Sequence, residues 1–336
     1  MVPAAPALLT PESRQPLPEP TPPSTHRGGG RPFSRRILPY LPYLPAFVPV
    51  AIVAAIVLEL LAQSRFHNFG WEFFGSTFVG PGSNDWGIGV FVVGSFVTAI
   101  PALFFSMFLG LGIAVASVVY LPRVVSRFLD GFVDLLAGIP SVVYGIWGYL
   151  FVAPYFGSAL NPWLFHHLGG IPGFGGLPPP GSGLGLPLGV FILTLMALPI
   201  TTLLIRDALR SLPRELWESG LALGATRWEC LRKVALPHSR AGILSAAFLG
   251  FGRAFGETVA IAMVLNLVAH YPSNVYSGTA TVAAMLFELL DSAYGNSLFL
   301  SWLAELALVL LAITATVNVV GRLFISRLSA TQIAGV

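Results

Sequence analysis

The sequence predicts an all-α polytopic membrane protein with six transmembrane helices, and three observations lead to this fold class. Hydrophobic residues make up 55% of the chain, charged residues only 10%, and the mean hydropathy is +0.77, unlike a soluble domain. Six apolar segments each reach the ~20 residues that a membrane-crossing helix needs. Basic residues fall almost entirely between these segments, so topology explains the net charge of +3 without a nucleic-acid partner.

The six predicted spans follow a tail that lacks them. They cover approximately 39–63, 87–119, 131–155, 185–205, 241–270 and 297–322. Because the second and fifth are longer than one straight crossing requires, we expect them to tilt or to extend beyond the lipid. Residues 1–36 hold many prolines and several arginines without an apolar run long enough to span, so they are predicted to form a disordered basic tail in the cytosol.

The distribution of basic residues predicts the orientation of these spans. If the N-terminus is cytoplasmic, every lysine and arginine lies in a cytoplasmic segment except Arg65, in an outer loop, and Arg253, within a span. This asymmetry is typical of multi-pass membrane proteins and predicts that both termini are cytoplasmic. The outer loops are then about 64–86, 156–184 and 271–296, and the Gly/Pro-rich middle one is predicted to be irregular.

The sequence lacks the residue patterns that several kinds of chemistry require. The single lysine, Lys233, follows an arginine and not a glycine, so the chain has no Walker A loop and is not expected to hydrolyse ATP. No GxSxG or HExxH pattern is present, so no enzyme activity is predicted. The single cysteine, Cys230, excludes an internal disulfide, and no Cys/His cluster has the spacing of a zinc site. We therefore predict no catalytic residues, metal or cofactor.

A charged stretch, Glu215 to Pro237, interrupts the apolar sequence between the fourth and fifth spans. Pro213 suits the first turn of a helix, and Gly224 can adopt the left-handed conformation that closes one. Thr226 and Glu229 have the spacing of a capping box, which would start a second helix. The sequence therefore predicts a helix-turn-helix hairpin on the cytosolic face. The pattern fits either a surface where another protein docks or a basic loop resting on anionic lipid.

The fifth predicted span carries two charged residues, Arg253 and Glu257. A charge near the middle of a span costs at least ~2.5 kcal/mol, so both residues should face protein or a water-filled path. Because they are one helical turn apart, we expect their side chains to meet. One interpretation is an ion pair that locks two helices together. The other is that Arg253 draws an anion into a pathway while Glu257 holds the guanidinium and discourages permanent capture.

The hairpin resembles the EAA motif of ABC-transporter permeases. Glu218-Ser219-Gly220, three residues, Gly224, nine residues and Val234-Ala235-Leu236-Pro237 match the family pattern of EAA, three residues, G, nine residues, I, one residue, LP. Ser and Gly replace the two alanines but remain small, and Val replaces Ile. The resemblance implies that the hairpin is the coupling helix, which sits in a cleft of an ATPase subunit. It assigns this role by position to Glu218, Ser219, Gly220, Gly224, Leu236 and Pro237.

Two further stretches are similar to phosphate-transport permeases of the PstC type. Gly252 to Asn266, GRAFGETVAIAMVLN, resembles GRALGETMAVAMV of that family, and Ala137 to Gly148, AGIPSVVYGIWG, also has a counterpart there. In the sister PstA type, GETAPL would be expected after the arginine. The resemblance covers roughly 85–325 and implies a type I, MetI-like importer fold over residues 37–330, in the bacterial inner membrane. It also implies that Arg253 and Glu257 take part in phosphate passage.

The resemblance further implies partners for this chain. These are a PstA-like permease that forms a heterodimer with it, a cytosolic ATPase homodimer, an extracytoplasmic phosphate-binding protein and membrane lipid. The chain would then be the permease subunit of an ATP-driven phosphate importer. Two alternatives stay open from the sequence: an ABC permease for another oxyanion, such as sulfate or molybdate, and a membrane scaffold or sensor that signals phosphate status without moving it.

Overall fold

A computed structural model describes residues 43–64, 75, 87–176, 178–293 and 295–333. The predicted basic tail and nearly all of the first predicted outer loop lie outside these residues. The described residues form helices joined by irregular segments, with no β-strand among them, which confirms the all-α prediction. The chain divides into two units. The first ends at Ala54 and contains the first half of helix α1 (Tyr43–Gln63), and the second begins at Ala55.

The second unit combines long apolar helices with shorter connecting ones. After α1, the helices are α2 (Gly89–Val115, continued by a π turn, Ala116–Tyr120), α3 (Arg123–Gly138), α4 (Ser141–Leu168), α5 (Leu186–Arg210), α6 (Arg214–Ala222), α7 (Arg227–Cys230), α8 (Arg240–Phe255), α9 (Val259–Val264), α10 (Val282–Leu289) and α11 (Ser297–Ile333). Among the described residues, four helices are long and apolar enough to cross a membrane: α2 with its π turn, α4, α5 and α11. The apolar part of α1, Phe47–Gln63, is shorter. The chain is therefore a polytopic membrane protein.

The predicted third span, 131–155, differs from the structure because the helix breaks in its middle. α3 ends at Gly138, and α4 begins only after Pro140. Ile139 is extended, with ψ of 125°, as expected for a residue that precedes proline. α3 carries charges along one face and apolar residues along the other, whereas α4 is apolar and continues to Leu168 through two π turns. Part of the predicted middle outer loop, 156–184, is therefore helical.

The predicted fifth span, 241–270, consists of two helices separated by a break at residues 256–258. α8 ends at Phe255, and Gly256 takes φ of −90° and ψ of 3°, which leaves the helical conformation. Glycine gives up more backbone freedom in a helix than other residues, which makes this a favourable place to stop. α9 then ends at Val264, and Asn266 turns the chain with a positive φ of 53°. The α8–α9 break therefore leaves backbone groups outside a helix in the middle of an apolar segment.

The predicted outer loop at 271–296 contains a buried helix, α10. Thr281 caps this helix, because its hydroxyl accepts a hydrogen bond from the Ala284 N–H at 3.2 Å. The Val282 N–H donates to the Ser95 hydroxyl oxygen of α2 at 2.9 Å, and both side chains are buried. The segment after α9 therefore folds back onto α2 and α11 and belongs to the core.

Close packing at two glycines fixes the position of α9. A Cβ atom on Gly145 of α4 would lie 2.7 Å from Met263 Sδ and 3.0 Å from Ala260 Cα, both in α9. A Cβ atom on Gly148 would lie 2.9 Å from Ile192 Cδ1 in α5. Because real Cβ atoms do not approach so closely, α4 reaches both helices only through glycine. The main core cluster includes α9 residues together with α2, α4, α5 and α8, so the α8–α9 break is held on several sides.

Candidate functional site

The predicted hairpin forms from its local signals. α6 follows Pro213, and Gly224 closes it with φ of +85°, a conformation that favours glycine. The Thr226 hydroxyl accepts a hydrogen bond from the Glu229 N–H at 3.2 Å, while the Thr226 N–H donates to Glu229 Oε2 at 2.9 Å. This is the predicted capping box. The backbone hydrogen bond from Thr226 is the largest of the interactions that lower the pKa of Glu229, so the cap contains an ionised carboxylate at neutral pH.

Contacts at two places hold the hairpin to the ends of the long helices. Arg227 Nη1 donates to the Val119 carbonyl at 3.3 Å, in the π turn that ends α2. Trp217 packs on a cluster that includes Leu209 of α5 and the buried Leu231. Trp217 and Leu231 therefore pack within the chain. Trp228, which is 56% exposed, remains available on the surface.

The residues with the EAA spacing lie along the hairpin with different environments. Glu218, Ser219, Gly224 and Pro237 are exposed, whereas Gly220 and Leu236 are half-buried. A Cβ atom on Gly220 would lie 2.8 Å from Cys230 Sγ, so the small residue is needed for contact between α6 and α7. The exposed members are accessible on the surface of the hairpin.

Arg253 and Glu257 lie on either side of the end of α8. Arg253 is in the last turn of the helix and is exposed, whereas Glu257 lies in the α8–α9 break and is 8% exposed. No ion pair or hydrogen bond joins their side chains among the described residues. Because α8 ends at Phe255, the helical spacing that would bring them together is lost. The predicted contact between the two side chains is therefore not formed, although both stand at the same break.

The guanidinium of Arg253 lies near Ala137 to Gly148, the second stretch that resembles PstC-type permeases. It lies within electrostatic range of Tyr144 in α4, whose hydroxyl donates to the Leu136 carbonyl at 3.0 Å. In the described part of the chain, the Arg253 side chain has no ion pair and no hydrogen bond. A guanidinium has five N–H donors in a planar fork that matches an oxyanion. The exposed guanidinium of Arg253 can therefore receive an anion beside the break.

A second charged site lies where α3 meets the end of α5. Arg206 Nη1 is 2.9 Å from Asp130 Oδ1, and Arg210 Nη2 is 2.8 Å from Asp130 Oδ2. Side-chain exposure is 7% for Arg206 and 16% for Asp130, so this pair is largely removed from water. Asp134, with 60% of its side chain exposed, is 3.8 Å from Arg206 Nη2. We call Asp130, Arg206 and Arg210 the α3–α5 ionic cluster.

Two serines complete the surroundings of Asp130. The Ser117 hydroxyl donates to Asp130 Oδ1 at 2.7 Å, and its oxygen lies 2.8 Å from Ser126 Oγ. Burial opposes ionisation of Asp130, but the hydrogen bonds from Ser117 and Arg210 and the positive charge of Arg206 outweigh it, so the pKa of this carboxyl is lowered. The cluster is therefore charged at neutral pH and fixes α3 to the ends of α2 and α5.

The sequence did not reveal this cluster. Arg127 is the basic residue nearest to Asp130 and Asp134 in the sequence, but the structure pairs Asp130 with arginines of α5. One local signal was available: Arg206 and Arg210 are four residues apart at the end of an apolar helix, so they share one face. Their acidic partner could not be identified from spacing, because it comes from a different helix.

Comparison with known proteins was informative for most of the chain. Residues 106–331 match the family model described as "Binding-protein-dependent transport system inner membrane component". A protein named "Phosphate transport system permease protein PstC" from Xylella fastidiosa is 36% identical over 287 residues, which cover 84% of this chain and 88% of that protein. Proteins with the same name from Mesorhizobium japonicum and Haemophilus influenzae are each 32% identical, over 85% of this chain and 88% and 91% of theirs.

Solved structures share the fold at low sequence identity. An inward-facing structure of the MetNI methionine ABC transporter gives a TM-score of 0.52 at 18% identity and covers 72% of this chain and 97% of that one. A bacterial alginate ABC transporter, in complex with an alginate-bound periplasmic protein, gives a TM-score of 0.53 at 13% identity and covers 86% and 92%. At these identities the likeness concerns the fold alone.

Proposed function

This chain belongs to the PstC type of phosphate transport permeases, within the family of binding-protein-dependent transport system inner membrane components, and we propose that phosphate crosses it at the α8–α9 break. It is the membrane permease subunit of a phosphate importer and is not itself catalytic. The match to PstC proteins, which extends over most of both sequences, is the observation that supports phosphate as the substrate. The fold neighbours support the importer architecture but not the transported molecule.

The proposed route places Arg253 at the point where phosphate passes. Its guanidinium has no ion pair in the described part of the chain, so its charge is available to an anion. Glu257 occupies the same break and repels a bound anion, which keeps the site from becoming a trap. Discontinuous helices commonly line substrate sites in transporters, because their non-helical backbone groups need a polar partner. This supports a role for residues 256–258 as well.

We further propose that a separate ATPase dimer drives this passage through the hairpin. The EAA spacing and the exposure of Glu218, Ser219 and Gly224 support a docking surface there, and the absence of a Walker A loop from the sequence means that ATP hydrolysis requires another subunit. Closure of the ATPase dimer would move the hairpin and, through Arg227 and Val119, the end of α2. Two states of the spans then give access to the break from opposite sides.

The family supports our proposals for the remaining partners and for the orientation. A PstA-like permease would complete the pathway as a heterodimer, and a phosphate-binding protein would deliver the anion from outside. The positions of the basic residues support an inner-membrane protein with both termini in the cytoplasm. In this orientation the hairpin and the α3–α5 ionic cluster lie on the cytoplasmic side.

Uptake by the reconstituted transporter tests this function. The chain would be assembled with a PstA-like permease and an ATPase of the same transport family, and vesicles would be supplied with a phosphate-binding protein, ATP and radiolabelled phosphate. We expect ATP-dependent phosphate uptake that excess sulfate or molybdate does not reduce. Competition by either anion would assign a different oxyanion. Binding of all partners without phosphate flux would instead identify a sensor.

The positive φ of Gly224 predicts how the hairpin responds to substitution. Gly224→Val should strain the turn by about 1–3 kcal/mol, because a β-branched residue rarely adopts this conformation. No atom lies within 4 Å of the position of a Cβ atom, so the effect is on the backbone and not a clash. We expect less phosphate taken up per ATP hydrolysed. Gly224→Asn is the matched control, since asparagine tolerates this conformation, and equal coupling ratios in the two variants would contradict the proposal.

A further inference from the structure

A cavity of about 590 Å³ opens where α2 and α5 end. The start of α3 and the first turns of α6 form its other walls, so residues of four helices surround it. We call it the interface cavity. It is separate from the α8–α9 break, and neither Arg253 nor Glu257 lines it.

The walls of the interface cavity carry an excess of positive charge. Arg123 from α3, Arg210 from α5 and Arg214 from α6 line it, whereas Glu218 is the one acidic residue among the lining residues. Arg210 Nη2 donates a hydrogen bond to Asp130 Oδ2 at 2.8 Å. This contact fixes the position of Arg210 and leaves further N–H donors of its planar group. Three arginines from separate helices in one cavity wall can bind an oxyanion.

The rest of the lining is largely apolar and lies at the level where the spans end. Val118, Leu209 and Trp217 are among the apolar residues of the cavity wall. The apolar helix that contains α2 ends at Tyr120, and α5 ends at Arg210, so the cavity lies at the boundary between these apolar helices and the more polar segments that follow them. Tryptophan prefers such a boundary, because its ring is apolar and carries a polar N–H. A ligand that combines a negative group with an apolar part would match both kinds of wall.

We propose that the interface cavity binds the phosphoryl headgroup of an anionic phospholipid such as phosphatidylglycerol. Arg123 and Arg214 bind the phosphate, Arg210 adds a fixed donor, and the apolar wall receives the glycerol and the first acyl carbons. Basic pockets between membrane helices on the cytoplasmic side bind such headgroups. Inorganic phosphate has the same anionic chemistry but would leave the apolar wall unfilled. This inference goes beyond phosphate transport and does not depend on it.

A lipid in this place would connect the amphipathic helix to the coupling hairpin. Arg123 belongs to α3, whereas Arg214, Trp217 and Glu218 belong to α6. The headgroup would therefore bridge α3 and α6 at the point where the hairpin leaves α5. Its binding favours the conformation in which these helices are close together.

Native mass spectrometry of the purified full-length chain tests this proposal. The chain would be titrated in detergent with phosphatidylglycerol and, separately, with phosphatidylcholine. We expect one retained phosphatidylglycerol, and about 30-fold weaker binding of it by the double variant Arg123→Gln/Arg214→Gln, given the usual contribution of two basic residues. Arg127→Gln/Arg232→Gln is the matched control, because these arginines lie in the same two regions, are exposed and do not line the cavity.

The outcomes distinguish the lipid from its competitors. Equal phosphatidylglycerol affinity in the two double variants would overturn the proposal, as would equal affinity of the wild-type chain for both lipids. A second titration uses inorganic phosphate. If inorganic phosphate binds with the same dependence on Arg123 and Arg214 and phosphatidylglycerol does not, the site belongs to free phosphate and the lipid assignment is wrong. None of these measurements requires phosphate uptake, so failure of the proposed transport function would be detected separately.

Discussion

Arg253→Gln is expected to lower the initial rate of ATP-driven phosphate uptake by about 10- to 100-fold, because hydrogen bonds to a charged group contribute about 1.5–3 kcal/mol each. The guanidinium is exposed and has no ion pair in the described part of the chain, so its removal should cost little stability. The measurement is uptake of radiolabelled phosphate by proteoliposomes, together with the amount of assembled complex. Loss of uptake without loss of assembly would place Arg253 in the pathway.

Two control variants make this result specific. Arg253→Lys retains the charge but not the planar fork, and we expect it to restore only part of the rate. Arg240→Gln removes an exposed arginine at the opposite end of the same helix and should leave uptake unchanged. If Arg253→Gln transports normally, the anion does not contact this residue and the proposed route is wrong.

Asp130→Asn is expected to destabilise the folded chain by about 3–5 kcal/mol, because it leaves the buried Arg206 without its carboxylate. The matched control is Asp134→Asn, which removes a carboxylate 3.8 Å from the same arginine, with 60% of its side chain exposed. An exposed pair of this kind contributes at most about 1 kcal/mol. Unfolding temperatures of the purified variants in detergent would measure the difference.

The unfolding temperatures should be measured at neutral pH, where the ionised Asp130 carboxylate stabilises the folded chain. Hydrogen bonds lower the pKa of Asp130 in the folded chain, so its stabilising contribution is fully present above the pKa of an unfolded aspartate, about 3.9. The contribution falls only as the pH decreases from there through the folded pKa. Equal unfolding temperatures for Asp130→Asn and Asp134→Asn would show that the α3–α5 ionic cluster does not hold α3 in place.

Local signals explain why the hairpin could be predicted closely from the sequence. Gly224 must take a positive φ, and Thr226 and Glu229 satisfy each other's hydrogen bonds within one turn. Such interactions depend on residues that are near in the chain, and they are therefore readable from spacing. The same holds for the long apolar helices, whose length and composition are sufficient to identify them.

The misplaced boundaries have a different physical origin. Pro140 was a visible signal, but the third span was predicted to run through it from 131 to 155, and the extended Ile139 instead separates α3 from α4. The α8–α9 break had weaker local signals, because the residue types at 256 and 258, glycine and threonine, also occur within continuous helices. Tight packing of α9 against Gly145 decides its position, and that contact joins residues more than a hundred positions apart. The pairing of Asp130 with Arg206 depends in the same way on tertiary structure.

The contact between Gly220 and Cys230 has a practical consequence for measuring motion in this transporter. Cys230 is the single cysteine of the chain and is only 1% exposed beneath α6, so thiol reagents cannot reach it in the folded protein. A cysteine introduced at the exposed Trp228, with a second at the exposed Phe128 of α3, would then be labelled selectively on the wild-type background. Spin labels at these two sites would report the distance between the hairpin and α3 through each step of the ATP cycle.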